Sequence, residues 1–408
     1  METFVDAARA CAFLDIKRAS LYAYAARGLV RTAPGKDARS RTYHQDDLRR
    51  LKARHDARAG HGAVAANALQ WGQPVLDSAL CRISPTLGPL YRGRAAVTLA
   101  QQSHTFETVA QWLWTGEDAP LVPWRAAHLG GDVKHLSAVV SRNASPQRLL
   151  AVLVNTLGAG EAARFGTSAP AEMDRARVLV RRLTAGMALH APKRLVLALE
   201  APGLAHALLV ALGGEPSTHA VAAVNQALII SADHELNASA FAARVAASAG
   251  AGLHACLSAA LAVHSGPRHG GACDQLEALL AAAGRAPRAR STVEAWLASG
   301  QQLHGFGHPL YPQGDPRAVQ LIELAHRLAR GTSRLRLLDA VVDAMAQATG
   351  LWPSLDVGLT AVCRALELPV GAPTTLFALG RMAGWVAHTL EQRHSPVLLR
   401  PRARYVGP

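Results

Sequence analysis

From about residue 74 to the C-terminus the chain is a succession of long apolar stretches with helical period, broken at Gly and Pro. This pattern limits the fold more than any other feature. Strands are bounded by turn residues every ~4–8 positions, and these stretches run well past that length. The breaks fall at Pro202-Gly203, Gly266-Pro267, Pro353 and Pro369. Alanine and leucine fill the runs and aromatics are only 5% of residues, a composition that packs helix on helix. No period of about 20–50 residues recurs, which excludes a solenoid. Neither GxGxxG after a strand-like run nor GxxxxGKS/T occurs, which argues against a nucleotide-binding α/β fold. The sequence therefore predicts a mainly α protein.

Charge separates a second region. Lys and Arg total 43 against 29 Asp and Glu, a formal net charge of +14 that calls for an anionic partner. Residues 1–58 hold 13 bases and seven acids, and from Arg393 onward there are four arginines and no acid. Most of the excess therefore lies at the two ends. Within the first segment, Asp6–Leu14 and Ala19–Arg27 read as helices joined by Asp15-Ile16-Lys17, with Gly28 as the stop. Leu29–Tyr43 reads as a hairpin around Pro34-Gly35, and Asp46–Arg58 as a charged third helix. A small-residue break, Ala59-Gly60-His61-Gly62, follows. This is the pattern of a basic helix-turn-helix with a wing.

The strings Ala7–Leu14, Arg18-Ala19-Ser20-Leu21-Tyr22, Arg27-Gly28-Leu29 and Arg39-Ser40-Arg41-Thr42-Tyr43 resemble the winged helix-turn-helix head of excisionases and mercury-resistance-type regulators. The resemblance implies that Lys17, Arg18, Ser20 and Tyr22 face the major groove of double-stranded DNA, with Arg39 and Arg41 on phosphates. A small helical domain that docks another protein is the competing reading. The expected organisation is a head over 1–58, a linker over 59–73 and a helical body over 74–408.

Five scattered cysteines without CxxC spacing support neither a disulfide framework nor a zinc site, as expected in a reducing cytoplasm. The N-terminus lacks the features of a signal peptide. The longest uncharged run, Val245–Pro267, is too rich in Ala, Gly, Ser and His to span a bilayer. A soluble cytoplasmic protein with no membrane partner and no metal is expected.

Polar clusters interrupt the body at its breaks: Gly266–Gly271 with His269, Gly305–Tyr311 with His308, Gly314–Arg317, and Pro353–Asp356. Ser231–Asn237, with His234, opens an Ala-rich helix. A histidine between glycines near a helix start is surrounded by backbone donors and pushed toward neutrality. A neutral imidazole can donate to developing negative charge. Taken alone, Asp356 could equally cap the helix after it. Two histidines and an aspartate in special-backbone segments make a possible acid/base set, and spacing alone does not bring them together.

Further strings carry a second resemblance. Leu90-Tyr91-Arg92-Gly93, AQWLWTG at 110–116, ADHELNASAFAARVAA at 232–247 and GPRHGGA at 266–272 are similar to segments of the citrate synthase family. So are GFGHPLYPQGDPRA at 305–318, ALGRMAGWVAHTLE at 378–391 and Arg400-Pro401-Arg402. The resemblance implies a helical homodimer whose large and small domains (the small one about 273–375) close over substrate. It implies condensation of acetyl-CoA or propionyl-CoA with oxaloacetate to give citrate or methylcitrate and CoA, with no permanently bound cofactor. By the same resemblance Asp356 is the base, His269 stabilises the enol and His308 polarises the keto group. His234, Arg317, Arg381 and Arg400 hold the keto acid, Arg400 from the partner subunit. Two departures stand out: Cys273 where the family usually has Asn, and Pro309 with Pro312-Gln313-Gly314 where it often has basic residues toward the CoA end. With the head, a regulator that senses a keto acid, citrate or acyl-CoA through such a body is the alternative function.

Overall fold

A computed structural model describes residues 4–14, 16–35, 40–48, 51–52, 76–102, 104–130, 133–159, 168–301, 303–401, 403, 405 and 407. The chain divides into two compact units, residues 1–77 and 78–408. The expected linker over 59–73 lies outside the described residues.

In the first unit β1 (Phe4–Asp6) leads into α1 (Ala7–Leu14), followed by α2 (Arg18–Ala26), β2 (Thr32–Pro34) and β3 (Arg41–His44). The Asp6 carboxylate accepts the Arg9 N–H at 2.8 Å, a capping contact that starts α1. Gly28 takes φ +70° just past α2, the left-handed stop expected from the sequence. The strands form one antiparallel sheet in the order β1-β3-β2, with Phe4 opposite His44 and Thr32 opposite Tyr43. The expected hairpin is present as the β2–β3 pair, and β1 adds a third strand that three residues of sequence were too short to reveal. Ala10, Leu14, Leu21, Val30, Tyr43 and Leu48 form a small core of their own.

The second unit is mostly helical. A short antiparallel sheet, β4 (Cys81–Ser84), β5 (Gly88–Tyr91) and β6 (Arg94–Ala95), precedes the helices and was not expected from the sequence. The helices that build the site are, in chain order, α3 (Thr218–Ser231), α4 (Ala238–Ser248), α5 (Leu253–His264), α6 (Ala272–Ala283), α7 (Pro316–Ala329), α8 (Leu355–Ala365) and α9 (Ala372–Arg393). Helix α9 is buried on almost every face, the condition of a helix at the centre of a large core. Two of its glycines explain how it fits. A Cβ at Gly380 would lie 2.9 Å from the Leu228 carbonyl oxygen, and one at Gly384 would lie 2.5 Å from that of Ala232. Only bare backbone lets α9 cross the end of α3 so closely, and the Gly384 N–H then donates to Ala232 O at 2.8 Å. From β5, the buried Tyr91 hydroxyl lies 3.0 Å and 3.1 Å from the carbonyl oxygens of Ile229 and Ile230. These contacts pin the C-terminal end of α3, where His234 follows. No helix among the described residues is long and apolar enough to cross a membrane.

Candidate active site

His269 lies in the turn between α5 and α6, with its N–H bonded to the Gly266 carbonyl at 2.9 Å. Its Nε2 is 2.7 Å from Ser239 Oγ at the start of α4. That oxygen also accepts the indole N–H of Trp385, from α9, at 3.0 Å, and lies 2.7 Å from Asn237 Oδ1. The hydroxyl has one proton and two acceptors within reach. With the hydroxyl proton on Asn237 Oδ1 the imidazole donates from Nε2 to Oγ; with the proton given to Nε2 the imidazole's own hydrogen sits on Nδ1. Burial first, and then the Arg381 charge, push His269 down to about 3, so the ring is neutral at ordinary pH. Gly270 is required next to it, because a Cβ there would lie 1.9 Å from the His264 ring.

The second histidine arrives on the loop Gly305–Gly314. That loop is zipped to the segment before α8: the Gly307 N–H donates to Trp352 O at 2.7 Å and the Ser354 N–H to Gly305 O at 2.9 Å. Two sequence clusters some 45 positions apart thus become one piece of structure. His308 Nδ1 accepts the Leu310 N–H at 3.2 Å, so the proton of its neutral ring sits on Nε2. Burial and Arg317 push it down to about 4, against a smaller opposing effect of Asp315. The His234 ring centroid is 5.3 Å away, and His234 Nε2 is 2.7 Å from the Tyr311 hydroxyl. His234 is held far below its ordinary value by burial, then by Arg317 and Arg381.

Asp356 is in the first turn of α8, where negative charge is favoured, but the cap is Ser354. Its Oδ2 accepts the Ser354 hydroxyl at 2.9 Å and its Oδ1 lies 3.5 Å from Cys273 Sγ. Burial raises its pKa above the usual carboxylate value, with Ser354, Cys273 and Arg317 acting in the opposite sense. A carboxylate so placed can take a proton from a weak carbon acid beside it.

Two arginines complete the cluster, both at 3% exposure or less. Arg317 is paired bidentately with Asp315 at 2.9 and 2.7 Å, and its guanidinium lies over the Tyr311 ring at 5.1 Å. Asp315 also caps α7 and accepts the Leu355 N–H at 3.1 Å, which joins the starts of α7 and α8. Arg381 donates from Nε to Ser231 O at 2.7 Å and stacks over Phe377. Behind it Asp233 and His388 form a fully buried pair 3.3 Å apart.

His234, His269, His308, Arg317, Asp356 and Arg381 are thus linked by hydrogen bonds, ring contacts or mutual charge effects. Arg400 takes no part in those contacts and lies exposed in the non-helical segment after α9. Ser239, Tyr311, Asp315, Ser354 and Trp385 belong to the same cluster and were not singled out from sequence. Each lies inside or beside a string already recognised as unusual. In the first unit Lys17, Arg18, Tyr22 and Arg41 are exposed and Ser20 is half-buried, while Arg39 lies outside the described residues.

A family model described as citrate synthase, C-terminal domain, matches residues 68–402. The chain belongs to the citrate synthase family. The 2-methylcitrate synthase of Mycobacterium tuberculosis is 30% identical over 353 residues, covering 82% of this chain and 89% of that protein. Citrate synthase 2 of Bacillus subtilis is 38% identical over 210 residues, covering 50% of this chain and 56% of that protein. The chain therefore matches little more than half the length of that relative. The Thermoplasma acidophilum citrate synthase, solved as a ternary complex with carboxymethyl coenzyme A and oxaloacetate, matches with a TM-score of 0.73. It is 24% identical, and the match covers 82% of this chain and 94% of that one. The Pyrobaculum aerophilum citrate synthase matches with a TM-score of 0.66 at 26% identity, covering 82% of this chain and 91% of that one. The helical body of this family member is accordingly a citrate synthase fold, and the family match begins only ten residues before the second unit.

Proposed function

We propose that the body condenses an acyl-CoA thioester, acetyl- or propionyl-CoA, with oxaloacetate and then hydrolyses the product thioester, releasing citrate or methylcitrate and CoA. The observation that carries this reading is the convergence of two histidines held neutral, one carboxylate of raised pKa and two buried arginines. Asp356 removes a proton from the carbon next to the thioester carbonyl. His269 donates an N–H to the oxygen on which negative charge develops. His308, whose neutral ring carries its proton on Nε2, polarises the keto carbonyl that the new carbon–carbon bond attacks. Arg317 and Arg381 hold the carboxylates of the dianion, with His234 beside it. Arg400 completes the site from the second subunit of a homodimer, and the segment of about 273–375 closes over the substrates.

CoA release from a panel of acyl-CoAs with oxaloacetate tests the proposal. Asp356→Asn is expected to lower turnover by about 10²–10⁴-fold while oxaloacetate still raises the melting temperature. A wild-type protein that releases no CoA from any member of the panel sinks the enzymatic reading.

A second function is favoured by the exposed cations of the first unit. We propose that Lys17, Arg18, Ser20 and Tyr22 on or beside α2 read DNA, and that Arg41 and Arg39 on the wing meet phosphates. Two helices joined by a short turn, followed by the antiparallel hairpin of β2 and β3, support the reading of this unit as a winged helix-turn-helix. In that role the body doubles as a sensor of keto acid, citrate or acyl-CoA, and a dimer presents two heads to a palindromic site. Duplex affinity that falls steeply with salt, and is lost on deleting residues 1–58, is the expected result; salt-independent affinity argues against it. The five free cysteines suit a reducing cytoplasm.

A further inference from the structure

Cys273 occupies the first turn of α6, four residues beyond His269, and is completely buried. Its sulfur lies within hydrogen-bond distance of Oδ1 of Asp356, at 3.5 Å, while Ser354 holds the other oxygen at 2.9 Å. We propose that Cys273 is a positioning residue for the general base, its thiol donating to Oδ1 so that the Asp356 carboxylate is clamped from both sides. The inference rests on the reading of Asp356 as the base.

The two donors come from different parts of the fold. Ser354 belongs to the segment zipped to the His308 loop, and Cys273 to the helix that follows His269. The clamp therefore ties the base to both histidines at once. A bond to one oxygen alone leaves rotation about the Cβ–Cγ bond less restricted; a bond to each oxygen sets the plane of the carboxylate.

The chemistry of a thiol suits this task. Asp356, Asp274 and Cys363 surround Cys273, and burial with these acidic neighbours raises its pKa well above that of a free cysteine. It stays protonated, so it is a lasting donor and a poor nucleophile. An S–H is also a weak donor. It orients a carboxylate without holding it as strongly in the ionised form as an ammonium or guanidinium would, which leaves the base its basicity. Arg317 on α7 is the charged group that acts on Asp356 from a neighbouring helix, and a Cβ added at Gly305 would lie 3.5 Å from that of Asp356.

The pH profile of kcat/KM decides the matter. The two histidines protonate only near 3 and 4, so an acid limb above that range reports Asp356. Removing a donor to the ionised form raises a carboxylate's pKa. Cys273→Ala is expected to move the acid limb upward by about half to one pH unit, and Cys273→Ser to bring it back to the wild-type position or below. A limb unmoved in Cys273→Ala, with only the melting temperature lowered, overturns the proposal and leaves Cys273 as packing. The S–H stretching band provides a reading on the intact side chain. It is expected to rise in frequency when Asp356→Asn removes the charged acceptor, and an unmoved band overturns the proposal even where Cys273→Ala fails to fold. Asp356→Asn also separates the two readings. Full turnover in that variant defeats the assignment of the base, whereas an inactive Asp356→Asn with an unmoved Cys273→Ala limb defeats only the role of Cys273.

Discussion

The two units of this chain use arginine in opposite ways. In the first, Arg18 and Arg41 stand exposed on a helix and at the start of the central strand of a fold with a core of only a few side chains. In the second, Arg317 and Arg381 are buried at the heart of the larger core. An exposed guanidinium remains hydrated, is screened by salt and costs little to place. A buried one is tolerable only where fixed partners replace its water, as Asp315, Tyr311, Ser231 O and Phe377 do here. The first arrangement suits a long polyanion met at many weak points. The second suits one small dianion held in one geometry.

The sharpest way to break this contrast is to remove a buried arginine. Arg317→Leu leaves the buried Asp315 without its guanidinium partner, and a loss of about 3–5 kcal/mol of stability is expected, together with loss of oxaloacetate binding. Thermal unfolding with and without the keto acid measures both. Arg317→Lys is expected to keep the fold better yet bind poorly, because a point charge cannot reproduce the fork on Asp315. A fully active Arg317→Lys would refute the reading of this site as geometric.

Ser239→Ala comes next. Loss of the hydroxyl removes the partner of His269 Nε2 that orients the ring, and kcat is expected to fall by about tenfold or more with little change in the KM for oxaloacetate. Equal effects on both would mean that Ser239 supports packing alone.

The acid side of the stability curve gives a smaller effect. His234, His264, His269 and His308 are all held below their ordinary value in the fold, chiefly by burial. Unfolded, they take up protons below about pH 6.5, so the unfolded state binds more protons there and stability falls as pH drops through that window. The melting temperature is expected to decline from about pH 7 to pH 5. Neither ring nitrogen of His264 has a hydrogen-bond partner among the described residues, so His264→Leu should flatten that slope. Asp356 has the opposite sign. Its raised value means the carboxylate costs stability near neutral pH, and Asp356→Asn is expected to melt slightly higher as it loses activity.

The smallest effects belong to the head. Arg18→Ala and Arg41→Ala are each expected to weaken duplex binding a few-fold and reduce the salt slope by about one, with turnover and melting of the body unchanged. A change in CoA release from either variant would show that the two units do not work separately.

Much of this is legible in the amino-acid sequence alone. The Gly- and Pro-bounded segments around His269, His308 and Asp356 marked places where backbone, not packing, sets the side chain. The small strands escaped because β1 and β6 are only three and two residues long, too short for a period-two pattern to repeat. Ser239 and Trp385 escaped because a serine near a helix start and a tryptophan in an apolar helix carry no signal of a shared histidine. Cys273 was visible as a substitution, but its contact with a residue 83 positions away was not.

What the sequence determined by itself is local: a helical body, a basic N-terminal segment of two helices and a hairpin, and the family to which the body's strings belong. Period, caps and turn residues act over a few positions, and those distances are where sequence patterns speak. Only the tertiary structure decided which neutral nitrogen carries the proton, which oxygen of Asp356 meets which donor, and that Arg317 is already engaged by Asp315. Those choices depend on hydrogen bonds between segments far apart in the chain. Their formation is governed by how helices such as α9 and α3 pack against each other, down to the glycines that let two backbones touch.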